Sequence, residues 1–381
     1  MLKLLARPFS IVEGTLDRAK LGLKWKYDLW RDLRVRPYLG YGTTEEVRLT
    51  GRVLDDKRIE IGPADGVWTN VRRTLRRVES DEVPGATVRL VDGDTTLETD
   101  TDEDGYFNFR YVPVSPERPW HEVRLELVAP EPSDPVEANT AALVLVPPDD
   151  AAFAVVSDLD DTVVRTGATN KLTYARAVLL NNAHSRMPFP GVAAFYRALR
   201  GGPDGSGTNP FFYVSSSPWN LFGQFRGFLR HRDIPEGPIF LKDFGIDEDK
   251  FIKSGHRSHK LDYIRTLLDT YPHLPFVLVG DSGQEDADIY ARVVRERPGR
   301  VRAIYIRDVT DDAGDRRVQR IADEVERLGV PMQLVERSET AARHAAELGL
   351  IPERAVESIA SESAEDEQRE GDEAWWERLL G

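Results

Sequence analysis

The chain has 381 residues, 40% of them hydrophobic, a formal charge of −14 and no cysteine. That length allows two cores and a tail, and the lack of cysteine excludes disulfide scaffolds, thiolate metal sites and cysteine nucleophiles. The charge is uneven, with nine acids against two arginines from Glu357 to Gly381 and nine Lys/Arg against four Asp/Glu in the first 41 residues; no nucleic-acid partner is expected for the whole chain, although a local basic contact is allowed.

Residues 1–44 read as a basic, amphipathic helix, because Val12, Leu16, Ala19, Leu23, Tyr27 and Trp30 recur at helical spacing. Two placements stay open for it, packed on the protein's own core or lying in an anionic membrane surface. MLKLLARPF lacks the apolar core of a signal peptide and no run is apolar enough to span a bilayer. The expected compartment is the cytoplasm, with peripheral membrane contact through residues 1–41 under the second placement.

Over 45–148 the period changes to two. Val47, Leu49 and Val53 alternate, as do Val88 with Leu90, Phe107 with Phe109, and Val123, Leu125 and Leu127. Turn signals at Pro84-Gly85, Asp92-Gly93 and Asp104-Gly105 separate the runs, which predicts an antiparallel β-sandwich domain. Val67 to Val78 fits an inserted helix with Arg72, Arg73, Arg76 and Arg77 on a basic face. The acids of TDTDEDG lack EF-hand spacing and are read as a turn.

Pro147 to Asp150 link this region to a third, 149–350. Ala152 to Val156 is an apolar strand that runs straight into Asp158, Asp160 and Asp161. Like charges this close repel unless a cation sits among them, so a divalent metal is expected. Two further apolar strands have polar exits: Pro210–Val214 into Ser215, Ser216 and Ser217, and Pro275–Gly280 into Asp281. Lys260 opens an amphipathic helix between them. Taken singly, Ser215 reads as a turn residue, Lys260 as a solvated lysine and Asp281 as a helix cap. His256 and His259 are read as flanking Lys260 rather than binding zinc.

Helices are expected at 172–180, 192–200, 221–230, 261–270, 286–294, 316–328 and 340–348, with further strands at 301–306 and 330–335. Such alternation predicts a Rossmann-like parallel sheet with helices on both faces. Gly167 to Pro188 leaves room only for a short flap, a minimal cap that favours a bulky or surface-bound substrate. Residues 351–381 are expected to form an acidic, disordered tail.

The order Asp158-x-Asp160-x-Thr162, Ser215, Lys260, Asp281 resembles motifs I to IV of the haloacid dehalogenase superfamily. YVSSSPWNL at 213–221, the His259-Lys260 pair and GDSGQEDADIY at 280–290 resemble, more narrowly, the actin-patch-associated phosphatidate phosphatase family. VPGATVRLVDGDTTLETDTDEDGYFNF resembles transthyretin-like or carboxypeptidase-regulatory-like sandwich modules. The resemblance implies an α/β phosphatase that hydrolyses phosphatidate to diacylglycerol with Mg2+. It makes Asp158 the nucleophile, Asp160 the acid/base, Thr162 the motif I hydroxyl, and Ser215 and Lys260 the phosphoryl ligands. Asp158, the Asp160 carbonyl, Asp281 and Asp286 would hold the metal, with Glu285 a rival for the last place. The presence of Asp160 favours a hydrolase over a pump that preserves its acyl phosphate. A soluble or macromolecular phosphomonoester is the alternative substrate, and a non-catalytic membrane- or protein-binding scaffold the alternative role.

Overall fold

Nine short strands come first among the described residues, and their alternation of apolar and polar residues is what a sheet with one buried face requires. The computed structural model describes residues 32–55, 81–132, 138–159, 189–242, 256–283, 285–309 and 312–380. The strands are β1 (Leu33–Pro37), β2 (Gly40–Gly42), β3 (Val47–Asp55), β4 (Asp81–Glu82), β5 (Thr87–Asp92), β6 (Thr95–Asp100), β7 (Tyr106–Tyr111), β8 (Trp120–Ala129) and β9 (Thr140–Leu145). Their order is β1-β3-β2-β9-β8-β5-β6, with β4 and β7 on the other side of β3. All pairs are antiparallel except β2 with β9. Val47, Leu49, Val53, Val88, Leu90, Phe107, Val123 and Leu125 form the core of this part. The TDTDEDG acids close a turn, where the Asp102 carboxylate accepts the Asp104 and Tyr106 N–H groups at 3.0 and 2.8 Å.

The helix expected over 1–44 is corrected at its end. Leu33–Pro37 and Gly40–Gly42 are strands, so the antiparallel region starts a dozen residues before 45. The reason lies in alternation: Leu33, Val35, Leu39 and Gly42 are buried while Arg36 is exposed, and β1 pairs in register with the end of β3. The helical spacing up to Trp30, the Val67–Val78 helix, the flap and the 172–180 helix lie outside the described residues.

The second sheet is parallel, six strands in the order β12-β11-β10-β13-β14-β15. They are β10 (Ala154–Asp158), β11 (Phe211–Pro218), β12 (Ile239–Lys242), β13 (Phe276–Asp281), β14 (Val301–Arg307) and β15 (Met332–Val335). The described helices are α1 (Val192–Gly201), α2 (Phe222–His231), α3 (His256–Thr270), α4 (Asp286–Glu296), α5 (Asp312–Arg327), α6 (Ser338–Glu347) and α7 (Arg354–Leu380), with a 3-10 turn at Trp219–Leu221. Val155, Tyr213, Val277 and Tyr305 face one cluster, shared with α1, α2 and α6. Val156, Phe212, Leu278 and Ile304 face another, shared with α3, α4 and α5. Both faces are covered, which is why these strands read as unbroken apolar runs. None of the described helices is long and apolar enough to cross a membrane.

The tail expected to be disordered is a helix, α7. Composition misleads here because its acids find partners. Ala355, Val356 and Ile359 pack on the α1 side of the core, Glu362 pairs with Arg197 at 2.5 Å, and the Asp366 carboxylate accepts the Gly191 N–H at 3.0 Å. Gly191 has φ 72°, and a Cβ there would stand 2.9 Å from the Ser363 Cβ. Only glycine allows both that backbone and that approach.

The turn between β1 and β2 docks on the parallel sheet. Tyr38 lies 4.3 Å from Trp219 and 4.6 Å from Phe222, centre to centre, and Tyr41 meets Phe240 edge-on at 5.2 Å. Such aromatic pairs add about 0.5–1.5 kcal/mol each beyond the area they bury.

Candidate active site

In an open parallel sheet, loops leaving the carboxyl ends of central strands share one crevice. Here β10 is central, flanked by β11 and β13. Asp158 ends β10 and Asp281 ends β13, so both emerge at that edge. Asp286 comes from the first turn of α4. One carboxylate oxygen from each of these three buried residues lies within 4.8 Å of the others.

A lysine stands among them. Lys260 leaves α3 with 2% of its surface exposed, its Nζ 2.9 Å from Asp158 Oδ1 and 2.7 Å from Asp286 Oδ1. Burial alone would lower its pKa, but Asp158, Asp286 and Asp281 together raise it above the ordinary lysine value. It is therefore a fixed cation. One lysine cannot balance three carboxylates, so the group of four keeps an excess of two negative charges when all are ionised. An all-oxygen donor set with that excess fits a hard divalent cation.

The close approach of Asp286 depends on Gly280. A Cβ at Gly280 would stand 2.6 Å from Asp286 Oδ2 and 2.9 Å from Tyr290 Cε2. The same Oδ2 accepts the Asp281 N–H at 3.2 Å, and the Tyr290 hydroxyl donates to the Val279 carbonyl at 2.8 Å. Asp286 is thus the residue that joins Asp158 and Asp281, whereas Glu285 sits half-buried at the cap of α4.

Ser215 belongs to the same edge. Its neighbour Val214 is the register partner of Asp158, Ser215 is fully buried, and its Oγ accepts the Ser217 N–H at 2.9 Å. Strand β11 runs on through Ser215 to Pro218, so the serine is held by a strand rather than a turn. Asp160 and Thr162 lie outside the described residues. The His259 ring meets Tyr263 edge-on at 4.7 Å. Burial first, then Lys242, pushes its pKa down to about 4.

Three residues not singled out from the sequence shape this edge. The hydroxyls of Tyr196 and Ser157 are 2.7 Å apart, and Ser157 donates to the Asp158 carbonyl at 2.7 Å. Since serine has one proton, Tyr196 donates to Ser157, and the chain fixes the backbone of Asp158 from below. Arg307, at the end of β14, is the register partner of Asp281 and lies 3.6 Å above the Phe189 ring. The only sequence signal for Arg307 was a charge closing an apolar strand.

Comparison with known proteins bears on this edge. Residues 153–308 match the family described as phosphatidate phosphatase APP1, catalytic domain. The phosphatidate phosphatase APP1 of Saccharomyces cerevisiae is 30% identical over 184 residues, 48% of this chain and 30% of that protein. An uncharacterized protein of Schizosaccharomyces pombe is 29% identical over 167 residues, 42% of this chain and 26% of that one. The chain thus spans less than a third of either relative. A carbohydrate acetylesterase from Xanthomonas citri aligns with 81% of the chain and 72% of its own at 11% identity, but the TM-score of 0.28 carries no argument.

Proposed function

We propose, for a chain whose residues 153–308 match the family described as phosphatidate phosphatase APP1, catalytic domain, a Mg2+-dependent phosphomonoesterase whose substrate is phosphatidate and whose product is diacylglycerol. The observation that carries this reading is the meeting of three buried aspartates and one buried lysine at the carboxyl edge of adjacent parallel strands. The six-stranded sheet is assigned to the haloacid dehalogenase type, and the strands before it to a sandwich module.

The reaction follows from these groups. A carboxylate oxygen of Asp158 attacks phosphorus as the ester P–O bond breaks, giving an aspartyl phosphate. Asp160, assigned from the sequence pattern, protonates the departing alkoxide and then takes a proton from the water that attacks phosphorus in the second step. Inorganic phosphate leaves and Asp158 is restored. Lys260 neutralises charge on the nucleophile and on the transferring group, while Ser215 donates to a phosphoryl oxygen and Thr162 orders the loop of motif I. Asp158, Asp281, Asp286 and the Asp160 carbonyl would hold Mg2+, which when bound offsets charge on the phosphoryl oxygens.

Phosphate release from phosphatidate in mixed micelles, set beside glycerol phosphate and a soluble panel, tests the substrate. A rate on phosphatidate no higher than on glycerol phosphate transfers the assignment to a soluble phosphomonoester. Asp158→Asn should abolish turnover, and an active variant removes the nucleophile from the scheme. The proposed setting is the cytoplasm with contact at a membrane surface. Flotation with anionic liposomes that is equal with and without residues 1–41 takes that contact away from the N-terminal segment.

A further inference from the structure

Five arginines from three elements face one cleft of about 560 Å3 between β1, β3 and α2. Arg34 and Arg36 reach it from β1, Arg52 from β3, and Arg226 and Arg230 from α2; among the described residues that line it there is no Asp or Glu. The chain as a whole carries a charge of −14. A lining of the opposite sign is a local specialisation.

The arrangement opposes folding on its own. Arg36 and Arg52 are direct register partners on antiparallel strands, where like charges destabilise the pair. Arg226 and Arg230 stand four apart on one helix, again as like-charged neighbours. Carboxylates that do not line the cleft hold three of these groups: Glu82 meets Arg52 at 2.6 Å, and Glu236 meets Arg226 at 3.0 Å and Arg230 at 2.7 Å. Those contacts also aim the guanidinium planes. Arg52 is the most fixed, since its Nε donates to the Asp104 carbonyl at 2.8 Å and its guanidinium lies 4.6 Å from the Tyr106 ring centre. Planar forks held in place suit the bidentate recognition of phosphate oxygens.

The cleft is floored by the aromatic seam described above, where Trp219 and Phe222 meet Tyr38. Trp219 follows Ser215 by four residues, so this floor begins close to the edge that bears the acids. On the helix side, no atom of the described residues lies within 4 Å of where a Cβ on Gly223 would stand. That wall is open.

We infer that this cleft is a second anion site, one that takes a phosphate group independently of the aspartate cluster. The aspartates repel an anion unless a metal offsets them, whereas the arginines attract one without it. A lipid headgroup and free phosphate present the same chemistry, and the test separates them. The full chain, kept in EDTA so that the aspartates offer no anion site, is titrated with inorganic phosphate by calorimetry. In parallel it is sedimented with phosphatidylcholine vesicles with and without phosphatidate.

Binding of inorganic phosphate supports a soluble ligand, and retention only by phosphatidate vesicles supports a headgroup. In either case Arg36→Gln with Arg230→Gln should weaken binding roughly tenfold or more, as expected for lost hydrogen bonds to a charged group. Gly223→Glu, which puts a carboxylate into open space near the start of a helix, should abolish binding without lowering the melting temperature. No binding of either probe overturns the inference. So does binding that folded Gly223→Glu and the double variant both retain unchanged.

Discussion

The two sheets of this molecule treat charge in opposite ways. On the antiparallel sheet, Arg89 meets Glu98 across strands at 2.7 Å, and Arg124 meets Glu126 at 2.9 Å, with all four side chains partly exposed. Across β5, β6 and β8 unlike charges are paired, and each pair is worth little. On the parallel sheet, three carboxylates and a lysine are shut inside at one edge, with carboxylates in excess. Such a cluster costs stability, so its persistence points to chemistry. Around β5, β6 and β8 the charge is spread in exposed pairs, whereas the parallel sheet concentrates it at one buried edge.

The change with the largest expected effect removes the single cation from the buried group. Lys260→Met should lower turnover by roughly 10³-fold and, measured by urea unfolding without metal, destabilise the fold by about 3–5 kcal/mol, the scale for stranding buried charge. Mg2+ should restore part of that stability and none of the turnover. An active, stable variant would erase the contrast between the sheets.

Gly280→Ala tests geometry instead of charge. Its Cβ must displace Asp286 by several tenths of an ångström, and misplacement on that scale should reduce turnover by roughly a hundredfold. Full activity with Mg2+ would show that Asp286 can move freely.

A smaller effect is expected from His259, whose pKa is pushed down to about 4, by burial first. The unfolded chain binds this proton more readily, so the contribution to stability is complete above about pH 6.5 and is lost as pH falls toward about 4. Melting followed between those values should steepen by roughly 2–3 kcal/mol in the parent relative to His259→Phe. Identical profiles would place the acid sensitivity elsewhere. The smallest effect belongs to the other sheet: Arg89→Gln should leave the melting temperature unchanged within scatter. A large drop would mean that the exposed pairs hold that sheet together.

Much of the site was legible because its residues lie where strands stop. Val155, Val156, Val277 and Leu278 are apolar on both faces, and a charge after such a run has few places to go except the sheet edge. Asp158, Ser215 and Asp281 followed from that logic, whereas Lys260 and Asp286, which stand on helices, came from their order and from the family resemblance, which left Glu285 as a rival. Two errors came from local pattern without partners. The helical count ended at Trp30 but the helix was drawn to 44, whereas pairing with β3 and β9 makes strands of Leu33–Pro37 and Gly40–Gly42. The acids of α7 looked like a solvated tail because Arg197 and the Gly191 N–H, their partners, are more than 160 residues away in the chain. β12 was missed because four residues after Pro235 and Gly237 carry too little periodicity. Tyr196 gave no signal beyond its burial, which only the fold supplies, and Arg307 gave only a charge at the end of an apolar strand.

The positions of Asp158 and Asp281 have a further consequence. They leave strands joined by backbone hydrogen bonds, with Val156 opposite Leu278 and Ser157 opposite Val279, so the gap between the two side chains is inherited from an inter-strand repeat of about 4.8 Å. A ruler made of peptide groups, common to every parallel sheet, sets the width of the cage. Substitutions deep in the interior that spread β10 from β13 would thus be felt first as a wider spacing of the two carboxylates, well before the molecule lost its shape.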